Sequence, residues 1–91
     1  MEINKEQTFT VSKEVLFQEV SGETVLLDLA SESYFGLDEV GTRVWQLLND
    51  GQSFESLLSV MLDEYDVEHE RLEMDIRALL DSLLEAGLIT I

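Results

Sequence analysis

The sequence contains no cysteine, no proline and a single histidine among its 91 residues. The lack of cysteine excludes disulfide bonds, thiolate metal sites and cysteine nucleophiles. Basic residues are also scarce: 5 Lys and Arg stand against 20 Asp and Glu, which gives a formal net charge of −15. Because clustered Lys and Arg bind phosphates and anionic lipid headgroups, nucleic acids and membrane surfaces are disfavoured as partners.

Long apolar runs are missing as well. No stretch approaches the roughly 18 apolar residues of a membrane span, and the segment from Met1 to Glu6 does not have the pattern of a secretory signal. A cytoplasmic location is therefore expected. Hydrophobic residues make up 45% of the chain, enough to form a stable core without cross-links such as disulfide bonds or metal ions. The length predicts one domain over residues 1–91.

The first third of the chain has the alternation of β-strands. Residues 14–20 are rich in β-branched and aromatic side chains, and a Gly-containing turn follows them. Val25, Leu27 and Leu29 then fall on one face of a second strand, so the two segments predict a hairpin. Residues 34–37 predict a short third strand, and residues 8–11 a small leading one.

Helical spacing replaces this alternation after residue 37. Asp38 is a good N-cap for a first helix ending near Leu48, and Ser53 caps a second amphipathic helix. A third helix is predicted from Glu68 to Ala86, where Gly87 stops it. Gly in the first helix costs stability, so Gly41 predicts the close approach of another backbone.

The predicted architecture is α+β: an N-terminal three-stranded antiparallel sheet followed by three helices. Such a sheet has open edges, and the third strand is a candidate edge. An open edge beside a helix can accept an extended peptide as an additional strand.

Catalytic signals are weak. His69 lies among acidic residues without metal-ligand spacing, which favours a solvated side chain at a helix start. The Asp-Ser-Leu at Asp81–Leu83 is also found at the attachment serine of acyl carrier proteins, but Ser82 comes late in a helical stripe rather than opening a long helix. The interpretation is a protein that is not an enzyme and has no metal or cofactor.

Two surfaces remain open to two interpretations. Either Tyr34 and Phe35 simply alternate between surface and core, or their strand lines a peptide groove. The flank of the third helix is either an ordinary boundary or the other wall of that groove. This flank carries small residues, a carboxylate and an adaptable Met: Met74, Asp75, Ala78, Leu79 and Ser82.

The order and spacing of these residues resemble the PqqD-like family, the leader-peptide recognition domains of pathways that modify ribosomally made peptides. The resemblance covers about Val11 to Ile89 and is strongest where Leu37 and Asp38 precede Gly41 and Trp45. The other residues that carry it are Val25 to Leu29, Tyr34 to Gly36, Tyr65 to Val67, Asp75 and the ending from Leu83.

The resemblance implies a winged helix-turn-helix-like fold that does not bind DNA. It also implies that a leader peptide adds as an antiparallel strand to the third strand and lies against the third helix. By that analogy, main-chain pairing is assigned to Ser33, Tyr34, Phe35 and Gly36. Side-chain contacts are assigned to Met74, Asp75, Ala78, Leu79 and Ser82.

A domain of this kind resembles the stand-alone leader-binding protein of split lasso-peptide systems, which delivers the precursor to a leader peptidase and to a cyclase. The alternative within the family is a PqqD-type peptide chaperone working with a radical SAM enzyme. A winged-helix regulator that binds nucleic acid and an acyl-carrier-like protein are the alternatives outside it.

The charge is unevenly distributed. Residues 1–49 hold nine acids and three bases, a net of −6, while residues 50–91 hold eleven acids and two bases, a net of −9. The excess lies in the helices that would form one wall of the groove. The sequence therefore predicts a basic, extended peptide as partner, whose encounter is accelerated by charge.

Overall fold

Three helices pack on one side of a three-stranded antiparallel sheet in the computed structural model, which describes residues 3–91. This confirms the predicted α+β class and its winged helix-turn-helix-like order, and adds a second pair of strands. The elements are β1 (Thr10–Val11), β2 (Val15–Val20), β3 (Glu23–Asp28), β4 (Ser33–Leu37), α1 (Glu39–Asn49), α2 (Phe54–Glu64), α3 (His69–Glu85) and β5 (Ile89–Thr90).

The main sheet has the order β2-β3-β4, so β2 and β4 are its edges. Ser21 and Gly22 join β2 to β3 with positive φ angles of 54° and 84°, the conformation that tight hairpin turns of matching twist require. The turn before β4 is held by the Asp28 carboxylate, which accepts hydrogen bonds from the Ala30 N–H and the Ser31 hydroxyl. Local turn chemistry thus sets the register that aligns Leu27 with Tyr34.

The two faces of this sheet have different surroundings. Val25, Leu27 and Leu29 share a face, as predicted, but Val25 and Leu29 are 48% and 46% exposed. The buried face instead carries Thr24, Leu26 and Asp28. The helices cover that side, which we call the inner face; the side of Val25, Leu27 and Leu29 is the outer face.

Hydrogen bonding makes the burial of a polar residue on the inner face tolerable. The Thr24 hydroxyl donates to Oγ1 of Thr42 on α1 at 2.8 Å, and both side chains are buried. A buried hydroxyl without such a partner would be costly. The contact therefore joins the middle strand to α1.

The helices begin where the sequence predicts them. The Asp38 carboxylate accepts from the Gly41 N–H at 2.8 Å, and the Ser53 hydroxyl accepts from the Ser56 N–H at 3.2 Å. The reason predicted for Gly41 was wrong, however. A Cβ there would lie 3.2 Å from Cβ of Leu37 and 3.3 Å from the Asp38 carboxylate, so side chains rather than another backbone crowd it.

One cluster of buried side chains unites the elements. Trp45 of α1, Phe54 and Met61 of α2, and Ile76 and Leu80 of α3 are at most 1% exposed within it. At the base of this core, β1 pairs antiparallel with β5, aligning Thr10 with Thr90. The predicted leading strand therefore pairs with β5, which follows α3, in one small sheet.

The longest helix, α3, has 17 residues and turns only a stripe of apolar side chains towards the core. Charged residues, together with Met74, Ala78 and Ser82, occupy the rest of its surface. No helix within residues 3–91 has the length and apolar composition needed to cross a bilayer.

Candidate peptide-binding groove

The open edge of β4 lies beside α3, and a cavity of about 380 Å³ separates them. Its floor is apolar and is formed by the start of α1 and by α3. An unpaired strand edge offers main-chain N–H and C=O groups to an extended segment. The cavity is lined by Gly36, Leu37, Asp38, Val40, Gly41, Val44, Asp75, Ile76 and Leu79.

A second, smaller cavity of about 160 Å³ lies at the other end of β4. Ser33 and Phe35 line it from the strand, and Ala86 and Leu88 line it from the end of α3 and the residues that follow. The C-terminal end of β4 thus faces the middle of α3, and its N-terminal end faces the end of α3. We call this space between β4 and α3, with a cavity at each end, the groove.

The residues predicted on the strand divide as alternation requires. Phe35 is half-buried against the core, whereas the side chain of Tyr34 is 74% exposed on the outer face. Ser33 and Gly36 line the two cavities. All four residues bring main-chain atoms to β4, the edge strand, where the predicted pairing would take place.

Only two of the five residues predicted on the helix line a cavity of the groove. Asp75 and Leu79 line the larger cavity. Ser82 follows them at helical spacing on the same stripe, exposed, and Ala86 continues the stripe into the smaller cavity. Ala78 and Met74 are exposed further round the helix, and neither lines a cavity of the groove.

Several lining residues escaped the sequence analysis. Asp38, Val40, Gly41 and Val44 come from the β4–α1 junction, which the sequence showed only as a helix start. Their part in the groove depends on α3 crossing next to α1, which periodicity does not reveal. Gly41 was the signal available in the sequence, because a glycine in the first turn of a helix indicates crowding. The crowding side chain is Leu37, and both residues line the larger cavity.

The groove is acidic and has no base within it. Asp38 and Asp75 line one cavity together, and among the residues of 3–91 that line the two cavities none is Lys or Arg. Two of the arginines are engaged elsewhere: Arg77 donates to Glu73 and to the Ile3 carbonyl, and Arg43 donates to Glu64. The hydrogen bond from Arg43 lowers the pKa of Glu64.

The chemistry that this arrangement supports is recognition. It offers an open strand edge and two cavities with apolar residues and three carboxylates, Asp28, Asp38 and Asp75, in their linings. Within residues 3–91, no three His, Asp or Glu side chains come together in a metal-binding group. His69, at 64% exposure, approaches Glu73 at 3.6 Å on the surface of α3.

Comparisons with known proteins agree with this geometry. The sequence model of the family described as "Coenzyme PQQ synthesis protein D (PqqD)" matches residues 23–89. Among curated proteins, none matches the chain. A solved structure described as "TbiB1 in Complex with the TbiA(beta) Leader Peptide" is 36% identical, with a TM-score of 0.83 over 88% of this chain and 93% of that one. A second, "Lasso peptide synthetase B1 complexed with the leader peptide", is 32% identical, with a TM-score of 0.83 over 93% of this chain and 100% of that one.

Proposed function

Because the chain belongs to the PqqD family, we propose that it recognises the leader segment of a ribosomally made precursor peptide without catalysing a reaction itself. The single observation that carries the proposal is the open edge of β4 beside α3, with a cavity at each end. The two similar structures contain leader peptides, which supports the same ligand class here.

In this proposal the leader adds as an antiparallel strand to β4. Ser33, Tyr34, Phe35 and Gly36 supply the main-chain partners, which give affinity with little dependence on sequence. Leader side chains at alternate positions point towards α3, so two of them enter the cavities and give selection. Asp75, Leu79 and Ser82 line their path, with Ala78 and Met74 at its outer margin.

Charge sets the preferred peptide. Asp38 and Asp75 both line the larger cavity, and none of its lining residues is Lys or Arg. A leader with Lys or Arg near this position gains attraction, and the net charge of −15 accelerates its encounter. The ligand proposed is therefore a basic, extended peptide.

The pathway proposed is lasso-peptide maturation, in which residues 1–91 form one cytoplasmic domain that presents the leader to a leader peptidase and to a cyclase. Holding the leader raises the effective concentration of the cleavage site near its enzyme. Similarity to the solved structure of a lasso peptide synthetase B1 supports this choice. The family description supports the second candidate, a PqqD-type chaperone that works with a radical SAM enzyme.

Leader binding tests the proposal directly. A fluorescently labelled leader from the same gene cluster should bind with micromolar or tighter affinity, measured by anisotropy, while the core peptide alone should not bind. Absence of leader binding at high protein concentration would contradict the proposal. Cleavage by the peptidase, with and without this chain, separates the lasso assignment from the alternative.

Asp75→Lys should weaken the binding of a basic leader by about tenfold at low salt, and by less as salt is raised, because it reverses one charge in the groove. Asp63→Lys makes the same change on an exposed position of α2 that lines neither cavity, and it should leave affinity close to wild type. Equal loss in both variants would show that only net charge matters. Circular dichroism checks that both remain folded.

A further inference from the structure

The outer face of the sheet is apolar and uncovered. Nine large hydrophobic side chains in residues 3–91 are strongly exposed, and five of them belong to this one face. Strand register explains the grouping, because Leu16 is opposite Leu27 and Leu27 is opposite Tyr34, forming one row across all three strands. The apolar members of the face are Leu16, Val20, Val25, Leu27, Leu29 and Tyr34, and the polar Gln18 and Glu23 share it.

This face is separate from the groove. The groove lies between the β4 edge and α3, on the side where the helices pack, whereas Leu16 and Val25 project from β2 and β3 to the opposite side. Three strands of five or six residues, about 4.8 Å apart, span roughly 10 by 17 Å, enough for the apolar centre of a protein contact. Exposed apolar side chains grouped on one face, rather than scattered singly, are a feature of interaction sites.

The acidic residues around the outer face indicate which kind of partner would bind it. Of the acids in residues 13–37, Glu23 lies on the outer face opposite Val20, and Glu14 and Glu32 lie in the flanking turns, whereas Glu19 and Asp28 belong to the inner face. The one base in this range is Lys13. A second copy of this chain would bring its own net charge of −15 to the same surface, and like charges oppose association. An anionic membrane is disfavoured for the same reason.

We infer that the outer face docks onto a second protein whose contact surface has an apolar centre bordered by Lys and Arg. The inference rests on the proposed function. Under that function, the second protein is the leader peptidase that receives the bound leader. Leader and peptidase then occupy different sides of the same sheet, so that both bind at once. Rim charges set the rate of encounter, and the apolar row sets how long the complex lasts.

The test uses the full chain and the leader peptidase from the same gene cluster. Leu16→Thr combined with Val25→Thr removes apolar area and leaves a β-branched residue, which favours strands, at each position. Affinity for the peptidase, measured by biolayer interferometry, should fall at least tenfold, and leader affinity should stay within twofold of wild type. Gln18→Thr is the matched control at a polar position of the same face, and should change neither.

The outcomes separate the two ideas. Failure of the wild-type chain to bind the leader would overturn the proposed function. Leader binding combined with no peptidase binding, or with equal peptidase affinity in the double variant, would overturn the docking inference alone. A wild-type chain that sediments as a dimer, and a double variant that sediments as a monomer, would assign the face to self-association instead. Peptidase affinity that falls with added salt supports the basic rim.

Discussion

The inner and outer faces of the main sheet carry similar residues but meet different surroundings. The inner face includes a buried Thr24 and Asp28 beside Leu26, while the outer face exposes Val25 and Leu29. By hydrophobicity alone, the outer face looks more like a core. The difference teaches that helix placement and hydrogen bonding, rather than apolar content, decide which side of a small sheet becomes the interior.

The largest expected effect contrasts a leucine from each face. Leu26 is 0% exposed on the inner face, and Leu16 is 55% exposed on the outer face. Leu26→Ala should lower the free energy of unfolding by about 2–5 kcal/mol, because it leaves a cavity in the core. Leu16→Ala should change it by less than about 0.5 kcal/mol. Urea unfolding of both variants checks this, and equal losses would mean that the outer face is part of the folded core.

A smaller effect is expected for the hydroxyl pair that joins the inner face to α1. Thr42→Val leaves the buried Thr24 hydroxyl without its partner and should cost about 1–3 kcal/mol. The double variant Thr24→Val/Thr42→Val removes both polar groups, so its loss should be smaller than that of the single variant. Thermal unfolding of Thr24→Val, Thr42→Val and the double variant, each compared with wild type, forms a double-mutant cycle. Additive losses would contradict coupling through this hydrogen bond.

The smallest effect contrasts the glycines at the two ends of the β4–α1 junction. A Cβ on Gly41 would lie 3.2 Å from the buried Leu37, while a Cβ on Gly36 would meet open space. Gly41→Ala should therefore destabilise by about 1 kcal/mol, since crowding outweighs the gain in helix propensity. Gly36→Ala should be neutral or slightly stabilising by urea unfolding. A stabilised Gly41→Ala would show that the wall of the groove can relax.

The sequence was sufficient for the helices and for the strand order, because local signals encode them. Asp38 and Ser53 form the caps that their side chains predict, and Ser21 and Gly22 form the predicted turn. The family resemblance, carried by residues such as Tyr34 to Gly36, was likewise sufficient to anticipate the family that the comparisons established.

Long-range packing was not available from the sequence. Alternation placed Val25, Leu27 and Leu29 together without showing that their face points away from the helices, because Thr24 becomes suited to burial only once Thr42 is opposite. The smaller cavity was missed for a similar reason. Ala86 and Leu88 reach Ser33 and Phe35 only through the folded arrangement of α3.

The pairing of β1 with β5 has a consequence for the timing of synthesis. It joins residue 10 to residue 90, and Leu88, just before β5, walls the smaller cavity of the groove. A ribosome that has made the sheet and two helices has therefore not yet made a complete groove. Closing so long a loop is also entropically demanding, so the pairing is expected late. The smaller cavity of the groove is therefore complete only once the chain has been made as far as Leu88.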